Sequence, residues 1–244
     1  MKSWMIVLGV VGAWAAQAQE SVLARLHRAE ALSRPVFSDV RPPDRAERIA
    51  EAVKIYEGIV TENPTQKLAL WNLAVLKGAS GKLDEALQVA RKLIKVDPQH
   101  RDGLYLIGVL DWLMVGRAIS DVRVGTMNSK EQLDEARKKL NASQMPVLDE
   151  GLAMLLQATR IDPRFSEAMA WESMLLRRKA QVAETAAQRA EWIAQAGELS
   201  KKATEISSTE KKKEPPKIDP AVEPPPLPYP GVPPPTAAGP PKKE

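Results

Sequence analysis

KLALWNLAVLKGASGKLDEALQVARKLIKVDPQH, residues 67–100, holds two amphipathic segments that turn at Gly81 and stop at Pro98. Two short antiparallel helices approach closely only where small side chains face each other, and Ala74 and Ala86 stand where such a contact is needed. Gly81 supplies the turn between them. Pro98 stops the second helix, because the residue before a proline is pushed out of the helical region.

The pattern recurs outward from this stretch. Asn63-Pro64, Asp97-Pro98 and Asp162-Pro163 each close an amphipathic segment. Pro64 and Pro98 lie 34 residues apart, and Pro98 and Pro163 lie 65 apart, one period plus an insertion of 31. Twelve positions before each proline stands a small residue: Ala52, Ala86 and Gly151. In the first helix of each unit the small position is Ala74, Gly108 and Ser173.

Residues 67–100 resemble the tetratricopeptide repeat. Leu70 stands at its large hydrophobic position, Leu73-Ala74 at its leucine-small pair and Leu83 before Asp84-Glu85-Ala86, with Pro98 closing the unit. The resemblance spans about 45–206 and implies an all-α fold: a right-handed α-solenoid of about three to four hairpins, its concave face lined by the first (A) helix of each hairpin. The family's concave positions, carried over, select Trp71, Asn72, Val75, Tyr105, Val109, Trp112 and Trp171 as partner-binding residues. Aromatic side chains dominate interface energetics, so a protein or peptide partner is expected there. Of the carboxylate clamp some of these repeats use, only Asn72 is kept; Leu68, Leu106 and Trp171 replace the rest, which disfavours a chaperone-tail receptor.

The flanks complete the organisation. Residues 44–61 carry a second-helix half with Ala52 and Tyr56, opened by a capping box of Asp44 and Glu47. The preceding SRPVFSDVRPPD is too rich in proline for a regular helix, so an amphipathic helix over 21–32 is expected to cover that end. A long helix over about 185–206 is expected to cap the other end. The insertion, about 117–145, is expected to break the turn of the third hairpin. Its second half reads as an exposed helix capped by Ser129, and the whole as either a surface excursion or a flap over the groove.

The chain divides into a signal peptide over 1–18, an N-terminal helix and proline-containing linker over 19–43, the repeat domain over 44–207, and a Pro/Lys-rich disordered tail over 208–244. Lys2, the apolar stretch from Trp4 to Ala16 and Ala16-Gln17-Ala18 form the pattern of a secretory signal cleaved after Ala18. The apolar run is short of the ~20 residues a spanning helix needs, and no other segment reads as apolar enough to span. Between Glu214 and Glu244, 13 of 31 residues are proline, which forbids helix and favours an extended spacer.

Composition limits the chemistry. The 35 basic and 31 acidic residues leave a net charge of +4 with no basic face, which argues against nucleic acid. The chain has no cysteine and only two histidines, His27 and His100, the latter expected as a polar turn residue. No glycine-rich phosphate loop is present. Asp84-Glu85 and Asp149-Glu150 read as dipole-complementing residues at helix starts. The expectation is therefore no enzyme, no cofactor and no metal. It is an exported scaffold, periplasmic or extracellular, that binds a protein or peptide in envelope assembly. The alternative is a structural or cell-wall-associated protein acting through its proline-rich tail.

Overall fold

The computed structural model describes residues 20–37, 42–124 and 129–211, so the signal-peptide segment and 212–244 of the tail lie outside the described residues. Residues 208–211, expected to open the disordered tail, instead continue the last helix, with no proline there to stop it. Eight α-helices follow one another among those described: α1 (Val22–Ser33), α2 (Arg45–Glu62), α3 (Lys67–Ala79), α4 (Leu83–Val96), α5 (Arg101–Val124), α6 (Lys130–Ile161), α7 (Ser166–Val182) and α8 (Ala186–Lys211), with a 3-10 turn at Arg34–Phe37 after α1. They pair in sequence as four hairpins, and each hairpin packs on the next. The fold is an α-solenoid of tetratricopeptide-like hairpins.

The small residues sit where two helices meet. Ala52, Ala74 and Ala86 are completely buried. At Gly108 a Cβ would lie only 2.4 Å from the Leu155 Cγ of α6, so α5 and α6 can approach this closely only because position 108 has no side chain. Gly81, at φ +77°, turns the chain from α3 into α4 in the left-handed region that favours glycine.

The residue before each repeat-closing proline has its own task. The Asp97 Oδ1 accepts from the Gln99 N–H at 3.1 Å, and the Asp162 Oδ1 accepts from the Arg164 N–H at 3.0 Å. Asn63 does the same for Thr65 at 3.3 Å. These Asx turns fix the chain between hairpins while the proline ends the helix. The same aspartates close their own hairpins: Lys67 reaches Asp97 at 3.0 Å, and one period later Arg101 reaches Asp162 at 2.8 Å.

The core runs along the stack, with α5 shared between neighbours. Leu106, Ile107 and Leu110 join the cluster built by α1 to α4. Leu104, Val109, Val115 and Ile119 join a second cluster with α6 and α7. By length and composition the Arg101–Ser120 part of α5 could cross a membrane, contrary to the reading that no segment beyond the N-terminal run is apolar enough. More than half of it is buried inside the stack, and that burial is what its apolar residues serve.

Three local expectations need correction. Asp44 makes no side-chain cap on α2; its carboxylate pairs instead with Arg48 one turn on, at 2.8 Å. The insertion does not interrupt the hairpin with a separate excursion but lengthens both of its helices. α5 has 24 residues against 13 in α3, and α6 has 32 against 14 in α4. The apolar rhythm continues through Val115 and Ile119, while Leu140 and Met145 pack on the same cluster, so continued helix buries more than a loop would. Ser129 does cap α6, accepting from the Gln132 N–H at 3.2 Å. Pro146 stands within α6 where the regular repeat would be entering its second helix, removing one backbone donor. Asp149 and Glu150 consequently lie inside a continuous helix and not at its start.

Candidate partner-binding face

α3, α5 and α7 are the A helices, and the sequence reading placed their aromatic side chains together in one open groove. The structure distributes them differently. Trp71 packs on His100, in the turn before α5, with ring centroids 5.9 Å apart. Tyr105 packs on Phe165, just before α7, at 5.1 Å. Trp112 meets Trp171 of α7 edge-on at 5.2 Å and 76°. Each ring fills the seam between its own hairpin and the next, a large apolar contact with favourable ring geometry.

Burial follows from this arrangement. Trp71, Asn72, Val75, Val109 and Trp171 are buried, so as folded they pack the stack and do not line an open groove. The Trp71 indole N–H is enclosed without an acceptor. The reason is helix spacing: neighbouring A helices pack about 8–10 Å apart, a gap that tryptophan fills and does not leave open.

Tyr105 and Trp112 remain half-buried. Around Trp112 lies the accessible part of the A-helix face. The Arg178 guanidinium sits 4.7 Å above the Trp112 ring and donates to the Gln181 Oε1 at 3.1 Å. Met174, three residues past Trp171 on α7, is half-buried, and Arg177, three residues further, is exposed. At the turn end, Arg101 lies 4.5 Å over the Phe165 ring beside Tyr105. Leu68, at the start of α3, is exposed. The face thus presents aromatic edges, a thioether and guanidinium groups. Sequence reasoning missed Arg178 and Phe165, because the family's concave positions were counted inside the helices: Phe165 precedes α7, and Arg178 is not one of those positions.

His100 has more to do than fill a polar turn. Its Nδ1 accepts from the Gly103 N–H at 3.0 Å, capping the first turn of α5. Nδ1 must be unprotonated to accept, so the other ring nitrogen carries the hydrogen. Burial against Trp71 lowers the His100 pKa from its ordinary value, with the nearby acids Asp102 and Asp97 opposing. A depressed pKa means the fold prefers neutral histidine. Its contribution is present above the unfolded pKa of about 6.5 and is lost as pH falls through the folded value. Between pH 7.5 and 5 the unaltered chain is expected to lose about 1 kcal/mol more stability than His100→Asn, which keeps a cap without titrating. Denaturant midpoints at both pH values measure this; parallel losses would remove His100 from the acid response.

The hairpins define a helical-repeat fold. Residues 45–109, covering α2 to the first part of α5, match a tetratricopeptide repeat family model. No curated protein matches the chain. Among solved structures, a crystal structure of MamA is 16% identical, with 70% of this chain and 95% of that chain covered and a TM-score of 0.29. The structure of YrrB, described as a TPR protein with an unusual peptide-binding site, is 15% identical, with 80% and 94% covered and a TM-score of 0.33.

Proposed function

We propose that the protein is an exported helical-repeat scaffold that holds a protein or peptide partner on its A-helix face during envelope assembly, with the proline-rich tail as a tether. The reading rests chiefly on the half-buried Tyr105, Trp112 and Met174 with exposed Arg177 on adjacent A helices, in a chain whose residues 45–109 match the tetratricopeptide repeat. Hairpins of that family generally serve as non-enzymatic interaction scaffolds. A half-buried aromatic beside a guanidinium is the kind of anchor that carries binding energy, since its cost of ordering is already met by the fold. The N-terminal pattern from Lys2 to Ala18 supports export.

A photo-crosslinking residue at Arg177 on the A face, compared with one at the exposed Lys92 of α4, tests the binding half in producing cells. An adduct is expected from position 177 and none from 92, and it should persist when 212–244 are deleted. Adducts from 92 alone, or loss of every adduct with the tail, would overturn the A-face reading in favour of the outer face or the tail. The intact mass of the mature protein tests export, the expected product beginning at Gln19.

A further inference from the structure

Counting from the repeat-closing prolines brings three positions of successive hairpins into register. Lys77 and Asp111 each lie 13 residues after a proline, Glu57 and Arg91 each lie 7 before one, and Glu85 and Glu150 each lie 13 before one. The first triad is satisfied. Lys77 is buried and reaches Glu57 at 2.7 Å and Glu85 at 2.5 Å, tying α3 to both neighbouring helices. Burial works against its charge, but the two glutamates outweigh it and raise the pKa above the ordinary lysine value.

In the second triad the central and one outer charge are exchanged, and the third is not. Asp111 takes the place of the lysine, and Arg91 takes the place of Glu57, while Glu150 remains acidic. Arg91 pairs side-on with Glu150, Nε donating to Oε1 at 2.8 Å and Nη2 to Oε2 at 2.5 Å, bridging α4 to α6. Asp111 is left beneath this pair, fully buried, with neither carboxylate oxygen hydrogen-bonded. The charged side chains acting on it are Glu150 from α6 and Arg91 from α4, and Leu175 of α7 packs at the same spot. Gly151 leaves the space: a Cβ there would stand 3.1 Å from the Asp111 Cβ and 3.2 Å from its Oδ2.

We propose that Asp111, Arg91 and Glu150 form a proton-operated latch at the seam between the α3–α4 and α5–α6 hairpins. The latch is shut while Asp111 holds its proton and Arg91 is committed to Glu150. When Asp111 ionises, a buried anion needs a cation, and among the described residues Arg91 is the cation that acts on it; drawing it inward breaks the α4–α6 bridge. The seam then loosens, and with it the register of α5, which carries Tyr105 and Trp112. Asp111 and Glu150 compete for one guanidinium, so removing either acid leaves the other paired.

The sign follows from burial, which pushes the Asp111 carboxyl up to about 8, with Glu150 adding to the rise and Arg91 opposing it. A raised carboxyl pKa gives stability that is fully present below the unfolded value of about 3.9 and is lost as pH rises through the folded value. The latch therefore opens on the alkaline side, the opposite direction from the His100 cap.

Melting temperatures of the full chain, of Asp111→Asn and of Glu150→Gln between pH 5 and 9 test the proposal. The unaltered chain is expected to fall by roughly 5 °C or more relative to Asp111→Asn as pH rises across this range. Glu150→Gln frees Arg91 for Asp111 and should remove most of the alkaline loss while lowering stability at pH 5, where the bridge is missing. A merely structural role for the cluster would lower Glu150→Gln equally at every pH, and that result would overturn the latch. So would parallel profiles for the unaltered chain and Asp111→Asn. If Asp111→Asn does not fold, carbon-13 titration of the aspartate carboxyls in the unaltered chain decides instead: one midpoint well above the ordinary range supports the latch, and none sinks it.

Discussion

Trp71→Ala is expected to cost about 3–5 kcal/mol of stability, the penalty for deleting a buried tryptophan and leaving its cavity. Trp71 is 3% exposed and belongs to the core that joins α1 to α5, and its ring also supports His100, whose Nδ1 caps α5. Loss of the indole should therefore loosen two hairpins at once. Trp112→Ala is the informative contrast. Trp112 is half-buried, with one edge on Trp171 and Arg178 on its face, so truncation removes less enclosed contact. If the A face holds a partner, Trp112→Ala should weaken capture by about 2 kcal/mol with the fold largely kept. Trp71→Ala should lose capture only as the domain unfolds. Melting and binding measured on both variants separate a packing residue from an anchor. Equal destabilisation by the two substitutions would assign both rings to packing.

Gly108→Leu should be the most damaging small-to-large change in the stack. Overpacking costs about 1–3 kcal/mol and occasionally more. Here the first added carbon would already lie within 3 Å of three Leu155 atoms, before the rest of the leucine is placed. Leu155 is fully buried and has nowhere to retreat. Even Gly108→Ala should therefore destabilise. The same glycine-to-alanine change at Gly197, where a Cβ would meet nothing within 4 Å on α8, should raise stability by about 0.5–1 kcal/mol through helix propensity. Ala142→Leu, on the exposed side of α6, should stay within about 0.5 kcal/mol. Opposite signs at positions 108 and 197 in urea denaturation would show that close helix approach, and not glycine as such, sets the result. A neutral Gly108→Leu would mean that α5 and α6 do not pack as described.

Part of this architecture was legible from residue spacing alone. Asx-Pro pairs at 63–64, 97–98 and 162–163, each preceded by a small residue twelve positions earlier, marked the hairpins. That worked because helix termination and close helix contact are local requirements, met by particular residue types at fixed offsets. The φ of +77° at Gly81 and the caps at Ser21 and Ser129 follow from the same kind of local rule. The capping reading at Asp44 failed because a competing cation, Arg48, stands one turn away, and a carboxylate chooses between partners by geometry that spacing does not contain.

What the sequence by itself determined, then, was the periodic skeleton: where helices stop, which positions must be small, and that hairpins stack. The tertiary structure decided which way the large side chains point and who partners the charges. Trp71, Val109 and Trp171 stand, like Tyr105 and Trp112, on A helices, yet the former are enclosed and the latter half-open, because enclosure depends on the neighbouring hairpin and on the turn that presents His100 or Phe165. The lengthening of α5 and α6 was likewise set by what Val115, Ile119, Leu140 and Met145 could bury together. Asp111 makes the distinction sharpest. In the sequence it is one acid among 31; only the folded stack buries it beside the Arg91–Glu150 pair with neither oxygen hydrogen-bonded, where burial raises its carboxyl pKa.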